Sequence, residues 1–317
     1  MTIAIISPNN DSVDLSWGSE SLCLHLPGFE VCFSGLSHAQ KNQLELDYAG
    51  FELSAQHLKQ ANKSTKIVCE VRRLDEPVNI PMECLTRDGQ YTPIKQRVAG
   101  GVQITGMNFK AYFDSGRECD SQAWVGVARE HEFSQAIVVE NFLRIYAAHN
   151  AISHHGALLH SAGLVFNQQA YIFVGRSGVG KTTLTRKAHA VGATVLSDDI
   201  NLIMPSFAGF DAYKVPFTGE FGRTVDHLNV AKSFPLKAVV LLQQGESIEA
   251  DFATASFAVS RLLAGSPFVN TDEHEVDALF EIYTNLTSKL PVITLAIPYE
   301  SEIYDIITPI NQLIDGL

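Results

Sequence analysis

Eight consecutive residues, Gly175-Arg176-Ser177-Gly178-Val179-Gly180-Lys181-Thr182, are spaced to grip a phosphate group. They fit the pattern GxxxxGK[ST] at every position, after an apolar run from Tyr171 to Val174 and before a helical pattern. Glycines let the backbone curl until successive N–H groups converge on phosphate oxygens, and a helix N-terminus behind them adds partial positive charge. The Lys181 ammonium is suited to bridge the β- and γ-phosphates of a nucleotide. The Thr182 hydroxyl is suited to ligate Mg²⁺, with Thr183 continuing the stretch into the helix.

The second constellation is the pair Asp198-Asp199 in "LSDDINLI". The chain between Lys181 and Asp198 is long enough for one helix and one return strand, which brings both carboxylates back beside the loop. Neighbours in a strand face opposite ways, so the pair divides its work. One carboxylate can hold Mg²⁺, and the other can accept the proton of an incoming hydroxyl. Other nucleotide-binding classes fit less well. The nearest match to a guanine-reading NKxD segment, Asn62-Lys63-Ser64-Thr65, lies upstream and lacks the aspartate. The later apolar strand "AVVLLQQGE" runs into Gln243 and Gln244 where motor and transport ATPases carry an acid.

Together, "LLHSAGLVF" and "YIFVGRSGVGKTTLTRKAHAVGATVLSDDINLI" resemble the catalytic core of the HPr kinase/phosphorylase family, which is related to phosphoenolpyruvate carboxykinases. That family carries a histidine on the strand before the loop, matched by His160, and an Asp-Asp pair after one helix. The resemblance implies that Asp198 is the general base and that His160 orients the site near the γ-phosphate. Asp199 then helps with metal or nucleotide. The family's later glutamate-arginine-glycine signature has only Glu220 and Arg223 as loose counterparts, Glu220 being a further metal candidate, so the chain resembles a divergent relative. The implied activity is an ATP- and Mg²⁺-dependent kinase acting on a hydroxyl, foremost serine of a protein or peptide. A kinase of a small metabolite such as free serine, and a nucleotide-sensing module without turnover, are the alternatives.

These residues need elements to carry them. From Ser134 onward helical and strand patterns interleave. "SQAIVVENFLRIYAAHNAI" reads as a helix with Ser134 as N-cap, and "GALLHSAGLVF" and "QAYIFVG" read as paired strands. "ATVLS", "LKAVVLLQQ" and "PVITLAIP" are further strands, and "TASFAVSRLLAG" and "EVDALFEIYTNLTSKL" further helices. The expected fold is therefore α/β: a P-loop nucleotide-binding domain with a mixed sheet over 126–317. A smaller β-rich α+β domain over 1–125, with a helix near 38–47, precedes it. No chemistry is recognisable in that N-terminal part. Substrate recognition, self-association into a homo-oligomer and support of the sheet are the roles left open to it.

Composition sets the outer bounds. In 317 residues, 46% hydrophobic and 18% charged, a substantial core can form. A net charge of −12 without a basic run argues against a nucleic-acid partner. No apolar run reaches the roughly 20 residues of a membrane span, and "MTIAIISPNN" lacks the basic start of a signal peptide. The five cysteines, at 23, 32, 69, 84 and 119, include no CxxC and are expected to be small apolar side chains in a reduced, cytoplasmic protein. His149, His154, His155 and His160 lack metal-site spacing, and no Cys or carboxylate is expected to join them nearby. "TDEHEVD" at 271–277 reads as a solvated helix start.

Overall fold

The computed structural model of the protein describes residues 15–52, 65–79, 82–85, 91–115, 120–217, 219, 221 and 233–316. Glu220, Arg223, Cys119 and the Asn62-Lys63-Ser64 segment lie outside the described residues. Contacts divide the chain into two compact units: 1–23 with 32–47 and 67–139, and 24–31 with 48–66 and 140–317.

In the N-terminal half, β1 (Glu20–Leu26) and β2 (Phe29–Leu36) meet through the two-residue turn Pro27-Gly28, where Gly28 takes the positive φ of 87° that favours glycine. Helix α1 (His38–Asp47) follows, then β3 (Thr65–Arg73), β4 (Ile94–Val98), β5 (Gly101–Gly106), β6 (Phe109–Asp114) and β7 (Asp120–Val127). These strands form one seven-stranded sheet in the order β1-β2-β3-β7-β6-β5-β4. In β6, Phe109, Ala111 and Phe113 are buried while the residues between them are not, the alternation of a sheet with one covered face.

The short turn also corrects the cysteine expectation. Cys23 and Cys32 each lie four residues from Pro27-Gly28, so they fall opposite one another, Cα atoms 4.0 Å apart, and are joined by a disulfide. Cys69 and Cys84 are free and buried, as expected of apolar side chains.

The C-terminal half begins with α2 (Val139–Ser153). That helix starts later than its apolar pattern suggests. Residues 133–138 form turns, and the Ser134 hydroxyl donates to the His131 carbonyl instead of capping α2. Strands β8 (Ala157–Phe166) and β9 (Gln169–Val174) form an antiparallel hairpin closed by Asn167 and Gln168, both at positive φ. Then come α3 (Lys181–Ala190), β10 (Thr194–Ser197), β11 (Ile200–Ser206), β12 (Gly209–Tyr213) and β13 (Ser233–Gln244). The chain ends with β14 (Glu249–Phe252), α4 (Ala255–Ala264), α5 (Val276–Lys289), β15 (Val292–Ile297) and α6 (Ile303–Asp315).

The architecture is mixed α/β. β13 runs parallel to β9 and β15, and the other pairings of this eight-stranded sheet are antiparallel. The expected mixed sheet has an added feature: β8, β11, β12, β13 and β9 pair in a closed ring of five strands. Helices α3 and α6 cover one face. Leu184 and Ala188 of α3, and Ile303, Ile306, Ile307 and Ile310 of α6, pack on Tyr171, Phe173, Leu164 and Val240. Among the described residues no helix is long and apolar enough to cross a membrane.

One buried amide ties the centre of this sheet together. Asn201, fully buried on β11, donates through Nδ2 to the Ser161 carbonyl at 2.8 Å, to the Ser161 hydroxyl at 3.0 Å and to the Ser197 carbonyl at 3.4 Å. Asn201→Ala removes all three of these bonds at a fully buried position, so a loss of about 2 kcal/mol is expected. A lowered urea midpoint at unchanged slope would register it; an unmoved midpoint would show that the amide holds nothing.

Candidate functional site

The loop that follows β9 is shaped by two kinds of glycine. Gly178 and Gly180 sit at φ 77° and 110°, and a Cβ on either would meet nothing within 4 Å, so they serve backbone conformation beside open space. Gly175 serves close packing, because a Cβ there would lie 2.8 Å from Val179 Cγ1 and 2.9 Å from the Leu242 carbonyl oxygen. Arg176, Ser177 and Gly178 are exposed, Val179 and Gly180 half-buried, and Thr182 and Thr183 half-buried in the first turn of α3. Lys181 is only 7% exposed, its Nζ donating to the carbonyls of Gly175 at 2.8 Å and Arg176 at 3.2 Å. Burial is the larger influence on this ammonium and lowers its pKa, with the Asp199 charge acting in the opposite direction. Open space beside left-handed glycines, a helix N-terminus and a buried ammonium suit a nucleotide phosphate.

The carboxylate pair sits where one extended segment bends. β10 and β11 both run antiparallel along the same strand, β10 against residues Gly163 to Val165 of β8 and β11 against Ala157 to His160. Asp198 and Asp199 form the break between them. Ser197, fully buried, holds the bend: its hydroxyl donates to the Phe217 carbonyl at 2.7 Å and accepts from the amides of Asp199 at 3.1 Å and Ile200 at 3.2 Å.

At this bend the two aspartates have different surroundings. Asp198 is 4% exposed and accepts from the Gly219 amide at 2.7 Å and the Phe221 amide at 3.3 Å. Gly219 is obligatory for that approach, since a Cβ there would lie 2.7 Å from Asp198 Oδ2. Asp199 faces a histidine and an arginine instead. Its Oδ1 lies 3.1 Å from His160 Nδ1, and its Oδ2 lies 3.0 Å from Arg144 Nη2. Burial, the largest single influence, raises the Asp199 pKa. The hydrogen bond from His160 and the charges of Arg144, His160 and Lys181 outweigh it, so the carboxyl stays below its ordinary value.

The structure therefore brings His160 to Asp199, not to Asp198. Ile200 pairs with His160 across the β8–β11 ladder, which sets Asp199 beside that histidine. Arg144 on α2 is a site residue that the motif reading missed. It also pairs with Glu140 one turn earlier, a helical i,i+4 spacing visible in "ENFLR"; its long-range partner Asp199 left no local trace. Elsewhere, two carboxylates do reach the histidine cluster. Asp272 and Glu275 come to the buried His149, with Glu275 Oε1 3.2 Å from Nδ1, so "TDEHEVD" is more than a solvated helix start.

A comparison with curated proteins finds no match. Among solved structures, the Hpr(Ser) kinase/phosphatase from Coxiella burnetii overlaps with a TM-score of 0.29 and 11% identity, covering 50% of this chain and 94% of that one. An overlap of that size transfers nothing to this protein. A family model matches more directly, over residues 129–297, which include the glycine loop, His160 and both aspartates. With more than half its length matched, the chain belongs to the family described as SynChlorMet cassette protein ScmC.

Proposed function

We propose that this protein is a kinase of a hydroxyl acceptor, foremost serine in a protein or peptide, with ATP as donor and Mg²⁺ as counterion. The observation that carries the reading is the meeting of two charge sets. Val174, the last residue before the glycine loop, pairs with Ser161 beside His160 on β8, so the loop holding Lys181 and the cluster of Asp199, His160 and Arg144 lie at the same end of one hairpin. The motif order that resembles HPr kinase/phosphorylase adds sequence support. The bound nucleotide supplies the phosphoryl group, and Mg²⁺ neutralises part of its charge.

Each residue then has a task. Amides of Gly175 to Thr183 grip phosphate oxygens, and Lys181, its ammonium already among loop carbonyls, redirects that charge to the transferred group. Thr182 would supply the hydroxyl ligand for magnesium, while Asp199, with one oxygen on His160 and the other on Arg144, is better suited as an orienting carboxylate than as a metal ligand. Asp199 accepting from His160 Nδ1–H fixes the tautomer that leaves Nε2 to receive the acceptor's proton. The His160 side chain is 41% exposed, hence accessible to an acceptor. Asp198, given the base role by family resemblance, instead holds Gly219 and Phe221 in our reading. Arg144 keeps Asp199 ionised.

Three measurements test this scheme. Lys181→Ala is expected to abolish the thermal stabilisation produced by Mg·ATP; an undiminished shift would remove the loop from nucleotide binding. In label transfer from γ-labelled ATP, His160→Ala and Asp199→Asn should each lower the rate by about a hundredfold or more while nucleotide binding persists. Asp198→Asn should act mainly on stability, and the opposite ranking would return the base role to Asp198. The third concerns pH. Because its folded pKa is depressed below the ordinary 3.8, ionised Asp199 stabilises the fold above about pH 4 and loses this effect as pH falls through the lower folded value. Urea unfolding of wild type against Asp199→Asn should show an advantage that fades only below about pH 4; an advantage already lost at pH 6 would contradict the ion-paired carboxylate.

A further inference from the structure

A second concavity lies on the other flank of the glycine loop. β9 stands between β8 and β13, so the Asp199 cluster falls on the β8 side, and a cavity of about 440 Å³ opens on the β13 side. Its lining combines Arg176 of the loop, Gln243 and Gln244 at the end of β13, and Phe257 and Arg261 of α4. That volume is within the usual range of ligand pockets, roughly 300–1,000 Å³.

Its charge is the unusual property. The protein carries −12 overall, yet this cavity is lined by two arginines and by no carboxylate. Among the described residues neither Arg176 nor Arg261 has an ion-pair partner. Phe257 and Arg261 are one helical turn apart on α4, and both line the cavity, Phe257 with an exposed ring. Gln244 is fixed toward the loop, its Nε2 donating to the Gly178 carbonyl at 3.4 Å. Two unpaired guanidiniums with amide donors between them form a receptor for a planar anion, held by paired N–H···O bonds.

We propose that this cavity receives a carboxylate side chain of the acceptor, so that the preferred acceptor is an acidic peptide segment bearing the serine. The inference rests on the kinase reading above and narrows its substrate class. An acidic segment is repelled by most of this surface and attracted at one place beside the phosphate loop, which provides selection as well as affinity. A basic or neutral segment gains nothing there.

The experiment uses three fluorescent peptides with the cores Glu-Glu-Ser-Glu-Glu, Ala-Ala-Ser-Ala-Ala and Lys-Lys-Ser-Lys-Lys, titrated with the full chain and followed by anisotropy, then by label transfer from γ-labelled ATP. The acidic peptide should bind about tenfold or more tightly than the neutral one. Arg261→Gln should remove most of that preference and Arg261→Lys less of it, with melting curves confirming that both variants fold. Lys181→Ala should retain the preference while losing the Mg·ATP response. Equal binding of acidic and neutral peptides, or a preference that survives in Arg176→Gln/Arg261→Gln, overturns the proposal. Arginine-dependent acidic binding without label transfer supports the cavity assignment and overturns the kinase reading.

Discussion

The candidate site depends on one backbone constraint: two strands share one edge of β8. Thr194 to Ser206 would be a single antiparallel partner of that strand, but the register shifts between Val195 and Ser197, and the ladder resumes at Ile200. The chain must bend in between, and the bend falls on Asp198-Asp199. A regular strand would have sent the two carboxylates to opposite faces and paired their amides with β8. The buried Ser197 hydroxyl takes over the hydrogen-bonding duties of the interrupted ladder, and Asn201 cross-links the segment back to Ser161. Strand geometry and side-chain chemistry are here one problem. The same irregularity that frees Asp199 for His160 turns Asp198 toward Gly219.

The electrostatics follow from that placement. A half-buried carboxylate is costly unless it is paired, and Asp199 is paired on both oxygens. Its second partner, Arg144, is itself held by Glu140, so the guanidinium is already oriented on α2. Lys181 lies within reach of the same field but is hydrogen-bonded to carbonyls of its own loop. These contacts leave Lys181 held by the Gly175 and Arg176 carbonyls, and leave His160 as the accessible member of the set. The set of Asp199, His160 and Arg144 is assembled before any anion enters the loop, which is the condition for electrostatic preorganisation.

Local patterns were legible where local physics decides. The glycine loop, its strand and its helix read directly from GxxxxGK[ST] flanked by apolar residues, and α1, α4, α5, β13 and β15 fell where periodicity put them. Two departures from the sequence expectations, at Ser134 and at the Cys23–Cys32 pair, have equally local causes. Ser134 did not cap α2 because turns intervene, and Cys23 and Cys32 pair because a two-residue turn fixes what lies opposite what. That register is set by the short turn in "LPGF". The final helix, α6, was likewise readable from Ile303, Ile306, Ile307 and Ile310 at helical spacing, although Pro309 lies inside it. What the chain could not disclose is long-range. Arg144 meeting Asp199, His149 meeting Glu275, and the closure of five strands into a ring depend on packing between segments far apart in sequence.

The glutamines at the end of β13 acquire meaning only in this context. Read alone, Gln243-Gln244 is merely the absence of the acid that many nucleotide-hydrolysing proteins place on the strand beside their phosphate loop. In the fold they line a cavity with Arg176 and Arg261, and a carboxylate at either position would pair with those arginines and cancel them. Amides preserve the positive potential while still offering hydrogen bonds. Under the proposed kinase reading, selection between the loop's two flanks is a matter of sign: the β8 side presents an aspartate already satisfied by His160 and Arg144, and the β13 side presents guanidiniums without a carboxylate partner. A segment that carries both a hydroxyl and a carboxylate fits that asymmetry, since each group has one flank on which it is welcome and one on which it is not.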